Sequence, residues 1–370
     1  MTMRIGIGAV LGTLGGPATY ARELIRALAR VDSRNEYVII TDAPHLLGVV
    51  AANVRCVAAP FSAPFLQPAW DHVLVPWLIR RHKLDLYHGT KGMLPLWRSC
   101  PEVVTVHDLA VYHQPETFAW LQRMHQRTHT PFAVRRARRV IADSDYGRRD
   151  LLDRFALVPE QVIAIPLAAG PQFTAQPSPD DARVAERLRL PRRYLLYAGT
   201  IQPRKNVEAL VAAFAEVPNR GDAELLIAGR IRPGYRQRFL GNPPPQVRYL
   251  GAVTDNELAV LYRRALALCS PSSYEGFGLS LVEAMASSCL VIAGRNSSVP
   301  ELVDDCGILL PELSVVALRA ALERILEGDP SLDELRARGQ ERARRYSWEE
   351  TARRTLGVYR EAIGNVRSAP

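Results

Sequence analysis

The chain has 370 residues, too many for one compact core and enough for two domains. Hydrophobic residues make up 48%, which excludes a disordered chain, and no run approaches the roughly 18 apolar residues of a membrane span. A formal net charge of +9 points to anionic partners, and five cysteines with no C-x-x-C favour reduced thiols over a disulfide framework.

The first ten residues, M-T-M-R-I-G-I-G-A-V, read as a buried strand rather than a leader, since they hold no long apolar region and no small-residue cleavage site. With the thiols, this predicts a cytoplasmic protein. A glycine loop, G-T-L-G-G-P, follows. Then comes A-T-Y-A-R-E-L-I-R-A-L-A-R, amphipathic at helical spacing, with Pro17 suited to the first turn. Further strands are predicted at Y-V-I-I, L-D-L-Y-H, E-V-V-T-V-H and R-V-I-A-D-S. Residues 67–81, Q-P-A-W-D-H-V-L-V-P-W-L-I-R-R, read as a core-packed helix, with a membrane-facing segment as the alternative. Residues 121–140 hold six arginines and no carboxylate. That stripe fits an anionic membrane, a phosphorylated substrate or a plain solvated helix face. Nucleic acid is disfavoured, because neither a stacking pattern nor a helix-turn-helix signature accompanies it.

Near residue 170 the texture turns rich in Pro, Gly and Ser, which reads as a linker. The alternation then restarts with Y-L-L-Y-A-G, N-V-E-A-L-V-A-A-F, E-L-L-I-A-G-R, V-R-Y-L-G, E-L-A-V-L-Y-R-R-A, L-A-L-C-S and L-V-I-A-G. Strands alternating with helices imply parallel sheets covered on both faces, and two such series imply two doubly wound α/β domains. Domains of residues 1–170 and 171–346 are expected, followed by a long final helix over 347–370 that opens with the capping pair Ser347 and Glu350. Ligands in such folds lie beyond the carboxyl ends of the strands, here in a central cleft that the two domains face.

Three stretches carry chemistry. S-Y-E-G-F-G-L-S-L-V-E-A-M-A-S (273–287) joins a strand to a helix. Gly276 and Gly278 admit a ligand to the backbone, and a helix start favours phosphate. Glu275 precedes that helix and Glu283 lies more than a turn inside it, a spacing that suits acceptors for sugar hydroxyls better than a proton-sharing dyad. In Y-A-G-T-I-Q-P-R-K-N, Arg204 and Lys205 are adjacent cations after a strand, able to clamp a diphosphate leaving group. T-V-H-D-L puts His107 at a strand end, as a contact for a reacting group or a structural histidine. G-T-L-G-G (12–16) is not a full G-x-G-x-x-G, so a dinucleotide reading is weak.

In this order the motifs resemble the retaining nucleotide-sugar glycosyltransferases of family four. The resemblance is nearly full length, from G-G-P-A-T-Y-A-R-E-L through D-L-Y-H-G-T, T-V-H-D-L, A-D-S-D-Y-G-R-R-D-L-L, A-G-T-I-Q-P-R-K-N, P-S-S-Y-E-G-F-G-L-S-L-V-E-A-M-A and V-P-E-L-V to S-W-E-E-T-A. It implies a GT-B fold, with an acceptor-side first domain, a donor-binding second domain and a final helix crossing back to the first. Gly15 and Gly16 would approach the donor diphosphate, and His107 would contact the sugar beside the reacting carbon. Arg204 and Lys205 would neutralise the diphosphate, Glu275 would contact the transferred sugar and Glu283 the ribose hydroxyls. Backbone around Phe277, Gly278 and Leu279 would meet phosphate or sugar.

The resemblance further implies metal-independent transfer of a hexose with retention, the nucleoside-diphosphate sugar being substrate and no cofactor being needed. GDP-mannose is slightly favoured over UDP-hexoses. The acceptor is a carbohydrate, lipid-linked or small-molecule hydroxyl, with peripheral contact to the inner membrane face in cell-surface glycan synthesis as one setting. The sequence departs from the family in two places. Thr200 stands where many relatives carry arginine, and S-S-C-L-V-I-A, with Ser288 and Leu290, replaces C-G-x-P-V. D-S-D (143–145) reads as a helix cap rather than a metal motif, and H-Q-R-T-H (125–129) as a solvated face rather than a zinc helix. The alternatives are a sugar-nucleotide epimerase of the same fold and a non-catalytic sugar-nucleotide-binding protein.

Overall fold

The computed structural model describes residues 2–12, 15–49, 51–59, 69–97, 99–235 and 243–367. Thr13 and Leu14 of the first glycine loop, and Gln67 and Pro68 of the tryptophan segment, lie outside the described residues. The chain divides into two compact units, Met1–Leu167 with Ser347–Pro370, and Ala168–Tyr346.

The first unit is built on a seven-stranded sheet. In chain order its strands are β1 (Arg4–Ala9), β2 (Glu36–Thr41), β3 (Val54–Ala58), β4 (Leu86–Gly89), β5 (Glu102–Val106), β6 (Arg139–Ala142) and β7 (Val162–Ala164). The spatial order is β3-β2-β1-β4-β5-β6-β7 and every pairing is parallel. The order reverses between β1 and β4, the place where a doubly wound sheet opens a crevice beyond its carboxyl ends. The glycines of R-I-G-I-G have a packing reason. A Cβ at Gly8 would fall 2.1 Å from the Tyr87 hydroxyl, and one at Gly6 would fall 2.3 Å from Leu84 Cδ1. Glycine thus lets β4 and its large side chains sit close to β1.

The second unit repeats the plan with β8 (Tyr194–Ala198), β9 (Glu224–Ala228), β10 (Val247–Gly251), β11 (Ala267–Ser270), β12 (Leu290–Gly294) and β13 (Ile308–Leu310), in the order β10-β9-β8-β11-β12-β13, again all parallel. Strands β8, β11 and β12 are buried along their whole length, which explains their unbroken apolar runs. Leu195, Tyr197, Leu225, Ile227 and Ile292 form one core with Phe214 of the helix Val207–Ala215 and Leu322 of the helix Val315–Leu326.

The Pro/Gly-rich stretch near residue 170 is not a free linker. Phe173 is buried and its ring lies 5.7 Å from that of Tyr262, while Arg263 Nη1 donates to the carbonyls of Gln172 and Thr174. These contacts draw the segment into the second unit, so the division falls after Leu167 rather than at residue 170.

The helix Trp348–Arg367 belongs to the first unit. Ser347 Oγ accepts from Glu350 N at 3.2 Å, the forward half of a capping box. Thr351 Oγ1 donates to the Pro166 carbonyl at 2.7 Å, and the Tyr359 hydroxyl meets His88 Nδ1 at 2.7 Å.

Candidate functional site

In the second unit the loops after the adjacent strands β8 and β11 come together. Pro203–Lys205 form one turn of 3-10 helix, ended by Asn206 in the left-handed conformation, φ 51°. That turn directs Arg204 and Lys205 towards the loop carrying Glu275. Glu275 is 7% exposed, and its carboxylate takes Lys205 Nζ on one oxygen, with Arg204 Nη1 3.7 Å from the other. Burial works against the ionised acid; Lys205 and then Arg204 more than offset it and hold the Glu275 carboxyl below its usual range.

Backbone bonds hold the same arrangement. Arg204 Nη1 donates to the Tyr274 carbonyl at 2.7 Å, and Ser273 donates through N and Oγ to the Arg204 carbonyl at 2.9 and 3.0 Å. From the loop after β12, Ser297 Oγ accepts from Glu275 N and Ser298 Oγ donates to Glu275 O. The carboxylate therefore sits on a scaffold drawn from three strand ends.

Gly276, Phe277 and Gly278 are buried and Leu279 is half-buried. Gly278 has φ 98°, and a Cβ there would meet Leu281 Cδ1 at 2.9 Å, so this position requires glycine. The Phe277 ring meets that of Tyr346 edge-on at 5.9 Å. No side chain caps the helix Leu279–Ala286 that follows, and its first turn carries no acid. Glu283 points into this unit: it is 7% exposed and accepts from the buried Tyr262 hydroxyl at 3.3 Å.

In the first unit the carboxyl edge gathers His107 after β5, Thr90 after β4 and Asp143 after β6. His107 Nδ1 faces Asp143 Oδ2 at 2.7 Å and Nε2 faces the Thr90 carbonyl at 2.8 Å. Burial works against a charged ring; the Asp143 carboxylate prevails and raises the histidine's pKa. Beneath it, the Tyr20 ring meets the His107 ring edge-on at 4.9 Å. Tyr20 hydroxyl and His88 Nε2 both meet Thr105 Oγ1, at 2.9 and 2.7 Å. His88 is wholly buried and is pushed down to about 3, by burial and then by His107. Gly15 precedes the helix Gly16–Val31 with φ 133° and ψ −179°, no side chain caps that helix, and a Cβ on Gly15 or Gly16 would meet nothing within 4 Å.

Against this geometry stand the known proteins. Residues 14–169 match the family model described as Glycosyltransferase Family 4, and residues 180–346 match Glycosyl transferases group 1. The chain belongs to that two-part glycosyltransferase family. O-antigen chain mannosyltransferase B of Escherichia coli is 29% identical over 77% of this chain and 76% of its own length. MMP alpha-(1->4)-mannosyltransferase of Mycolicibacterium hassiacum is 32% identical over 60% of this chain and 54% of its own length. The structure of sucrose-phosphate synthase from Thermosynechococcus elongatus superposes with a TM-score of 0.79 at 23% identity, covering 98% of this chain and 100% of that one, and shows the shared GT-B fold.

The structure of this glycosyltransferase also shows partners that no motif announced. Arg232, after β9, is joined to the P-R-K turn: Ile201 and Ile231 form a parallel bridge, Arg232 N donates to Ile201 O at 3.0 Å, and Arg232 Nη1 donates to Gln202 Oε1 at 3.4 Å. Burial and then Arg204 lower its pKa, placing a third cation beside the pair. The signal was present in G-R-I-R, a basic run directly after a strand. Lys91 follows Thr90 and is half-buried. In D-S-D, Ser144 caps the helix Asp145–Phe155 by accepting from Gly147 N at 3.0 Å, while Asp143 is committed to His107.

Two sequence readings need correcting. H-Q-R-T-H is not simply a solvated face: His125 and His129 are half-buried, their rings 4.4 Å apart, and His129 stacks on the buried His72 at 4.9 Å. A turn of π-helix, Trp70–Leu74, carries His72 to that position. The tryptophan segment is also divided. Trp70 is buried and donates Nε1–H to the Ala59 carbonyl at 2.7 Å, whereas Trp77 is 53% exposed.

Proposed function

We propose that the protein transfers a mannosyl residue from a nucleoside-diphosphate sugar to an acceptor hydroxyl, with retention and without a metal. The observation that carries this reading is the buried Glu275 bearing Lys205 and Arg204 at the carboxyl ends of β8 and β11. Two preorganised cations supply the charge stabilisation that a diphosphate leaving group needs, which is the work a divalent metal does in other transferases. The mannosyltransferase relatives favour mannose as the sugar.

In this reaction the bond between the anomeric carbon and the diphosphate oxygen breaks, and a bond from that carbon to the acceptor oxygen forms on the same face. The acceptor proton passes to the departing phosphate oxygen. Lys205 and Arg204 share their charge between Glu275 and the diphosphate, so the donor enters an already compensated pocket. Glu275 accepts from the transferred sugar, Glu283 from the ribose, and backbone N–H groups from Gly276 to Leu279 meet the phosphate or sugar. His107, Gly15 and Gly16 mark the carboxyl edge of the first unit as the second place to probe for donor contacts.

The test is thermal shift with a panel of GDP- and UDP-hexoses, with and without EDTA, followed by NMR of the product's anomeric carbon. A selective shift with GDP-mannose that survives EDTA, is lost in Lys205→Ala and leads to an α-mannoside from the α-donor is the expected result. A shift that EDTA abolishes, an inverted product or a response only to other sugar nucleotides overturns the corresponding part of the proposal.

A further inference from the structure

Beneath His107 runs a chain of four polar side chains that the proposed transfer does not use. The Tyr359 hydroxyl of the final helix meets His88 Nδ1 at 2.7 Å, His88 Nε2 meets Thr105 Oγ1 at 2.7 Å, and Thr105 Oγ1 meets the Tyr20 hydroxyl at 2.9 Å. All four residues are at most 1% exposed. Among the described residues, these side chains hydrogen-bond only to one another. A buried network that is connected throughout holds one arrangement and stiffens what it touches. Here it touches His107: the Tyr20 ring meets the His107 ring at 4.9 Å with 75° between their planes. Trp348, at the start of the final helix, lies 6.3 Å from the same Tyr20 ring.

His107 has a use for such support. Asp143 and the Thr90 carbonyl engage its two ring nitrogens. Bonds at both nitrogens fix the place of the ring but leave it able to rock about the line joining them. An aromatic ring set edge-on opposes that rocking. The Tyr20 ring is in turn held at its far end by Thr105. The chain also suits the charge of His107. With His88 neutral, three hydroxyls and one ring N–H bring four protons to three bonds. A charged His88 would bring another and leave a second proton without an acceptor. The support is therefore uncharged, and the charged neighbours of His107 are the carboxylates of Asp143 and Asp108.

We infer that Tyr20, braced by Thr105, His88 and Tyr359, is a positioning residue for His107 and sets the angle at which that ring meets the donor. Tyr20 is buried and acts through His107, so the assignment rests on the transfer proposed above and on the place of His107 in it.

The experiment is a double-mutant cycle on the full chain, read as kcat and donor KM for release of GDP from GDP-mannose. Tyr20→Leu should lower kcat about 10²-fold with donor KM within about twofold of wild type, the scale on which a small misplacement acts. In a His107→Ala background, Tyr20→Leu should lower kcat no further. Thr105→Val should share the loss, and Thr105→Ser, which keeps the hydroxyl, should retain wild-type kcat. A second measurement needs no turnover. NMR titration of the His107 ring should give a midpoint above the ordinary 6.5 in wild type and in Thr105→Ser. That midpoint should fall towards 6.5 in Tyr20→Leu and Thr105→Val. Where either of these fails to fold, Tyr359→Phe cuts the same chain at its far end and is read in the same two ways. Losses in Tyr20→Leu and His107→Ala that add in full, or wild-type kcat and an unmoved midpoint in the folded variants, overturn the assignment. A wild type that releases no GDP but whose midpoint moves as expected removes the donor reading and leaves the brace on His107 standing.

Discussion

His107 Nδ1 lies 2.7 Å from Asp143 Oδ2, and the ring's other nitrogen faces the Thr90 carbonyl, an atom that can only accept. Nε2 therefore carries a proton, and a second proton on Nδ1 gives an imidazolium paired with a carboxylate. The pair raises the folded-state pKa of His107 above the ordinary 6.5. A raised histidine contributes stability that is fully present below the unfolded value and is lost as pH rises through the folded one. Asp143→Asn should cost about 1.5–3 kcal/mol near pH 6, the range of a hydrogen bond to a charged group. The gap to wild type should narrow by pH 9, because the amide can donate to a neutral Nδ1. Urea midpoints across this range check it; a gap that widens with pH means that the pair is not charged.

Lys205→Ala removes the closer cation from Glu275. Transfer should fall about 10²-fold or more, as when one preorganised electrostatic donor is lost. Stability should fall by less than the about 3–5 kcal/mol of a fully stripped buried pair, since Arg204 remains 3.7 Å away. Glu275 has a depressed folded pKa, so its stabilisation exists above the unfolded value of 4.5 and is lost as pH falls through the folded one. Wild type should therefore show a steeper loss of stability on acidification below pH 4.5 than Lys205→Ala. Parallel acid curves would mean that the pair contributes nothing to folding. Arg232→Gln is the milder variant, with donor KM raised about tenfold at little cost in stability, as for one charge-assisted contact.

Ser288 occupies the left-handed region at φ 57°, at the turn where the C-G-x-P-V pattern of the family it resembles has glycine. The structure thus keeps the glycine-type turn without the glycine. Strain of about 1–2 kcal/mol attends a non-glycine residue there, and glycine adds about 0.5–1 kcal/mol of unfolded-chain entropy. Ser288→Gly should accordingly raise stability by about 0.5–1 kcal/mol, a rise in Tm of about 1–4 °C for a unit of this size. Calorimetry decides it, and a lower Tm would mean that the serine side chain is needed.

What could be read from the chain depended on how local the determining contacts are. Strands β8, β11 and β12 are continuous apolar runs between turn residues, and P-R-K-N and E-G-F-G follow two of them directly. Because β8 and β11 pair at the switch point, Arg204, Lys205 and Glu275 come together for a reason visible in the β-α alternation. Three of the four edge strands escaped that reading, β10 alone being legible as V-R-Y-L-G. β7 and β13 have three residues each, and β3, V-R-C-V-A, is exposed at Arg55 and Cys56 and so carries no clean pattern. The partners of His107 escaped for another reason. Asp143 and Thr90 lie 36 and 17 residues away and reach it only through the order β4-β5-β6. Tyr262 on Glu283 and Gln202 on Arg232 are likewise products of packing, not of spacing.

Gly15 and Gly16 separate backbone need from ligand access. At Gly15 the backbone angles, φ 133° and ψ −179°, belong to a region that only glycine enters readily. Gly15→Ala should cost about 1–3 kcal/mol although its Cβ would point into open space. Gly16 begins the helix, and a Cβ there also meets nothing within 4 Å, so Gly16→Ala should change stability by no more than about 0.5 kcal/mol. If the donor comes close to this helix start, the added methyl at position 16 stands between backbone and ligand. Donor KM should then rise severalfold in Gly16→Ala at unchanged Tm, while free hydrolysis and transfer keep their ratio. Wild-type KM in a stably folded Gly16→Ala protein would remove this helix start from the donor site, and the glycines would then serve the turn alone.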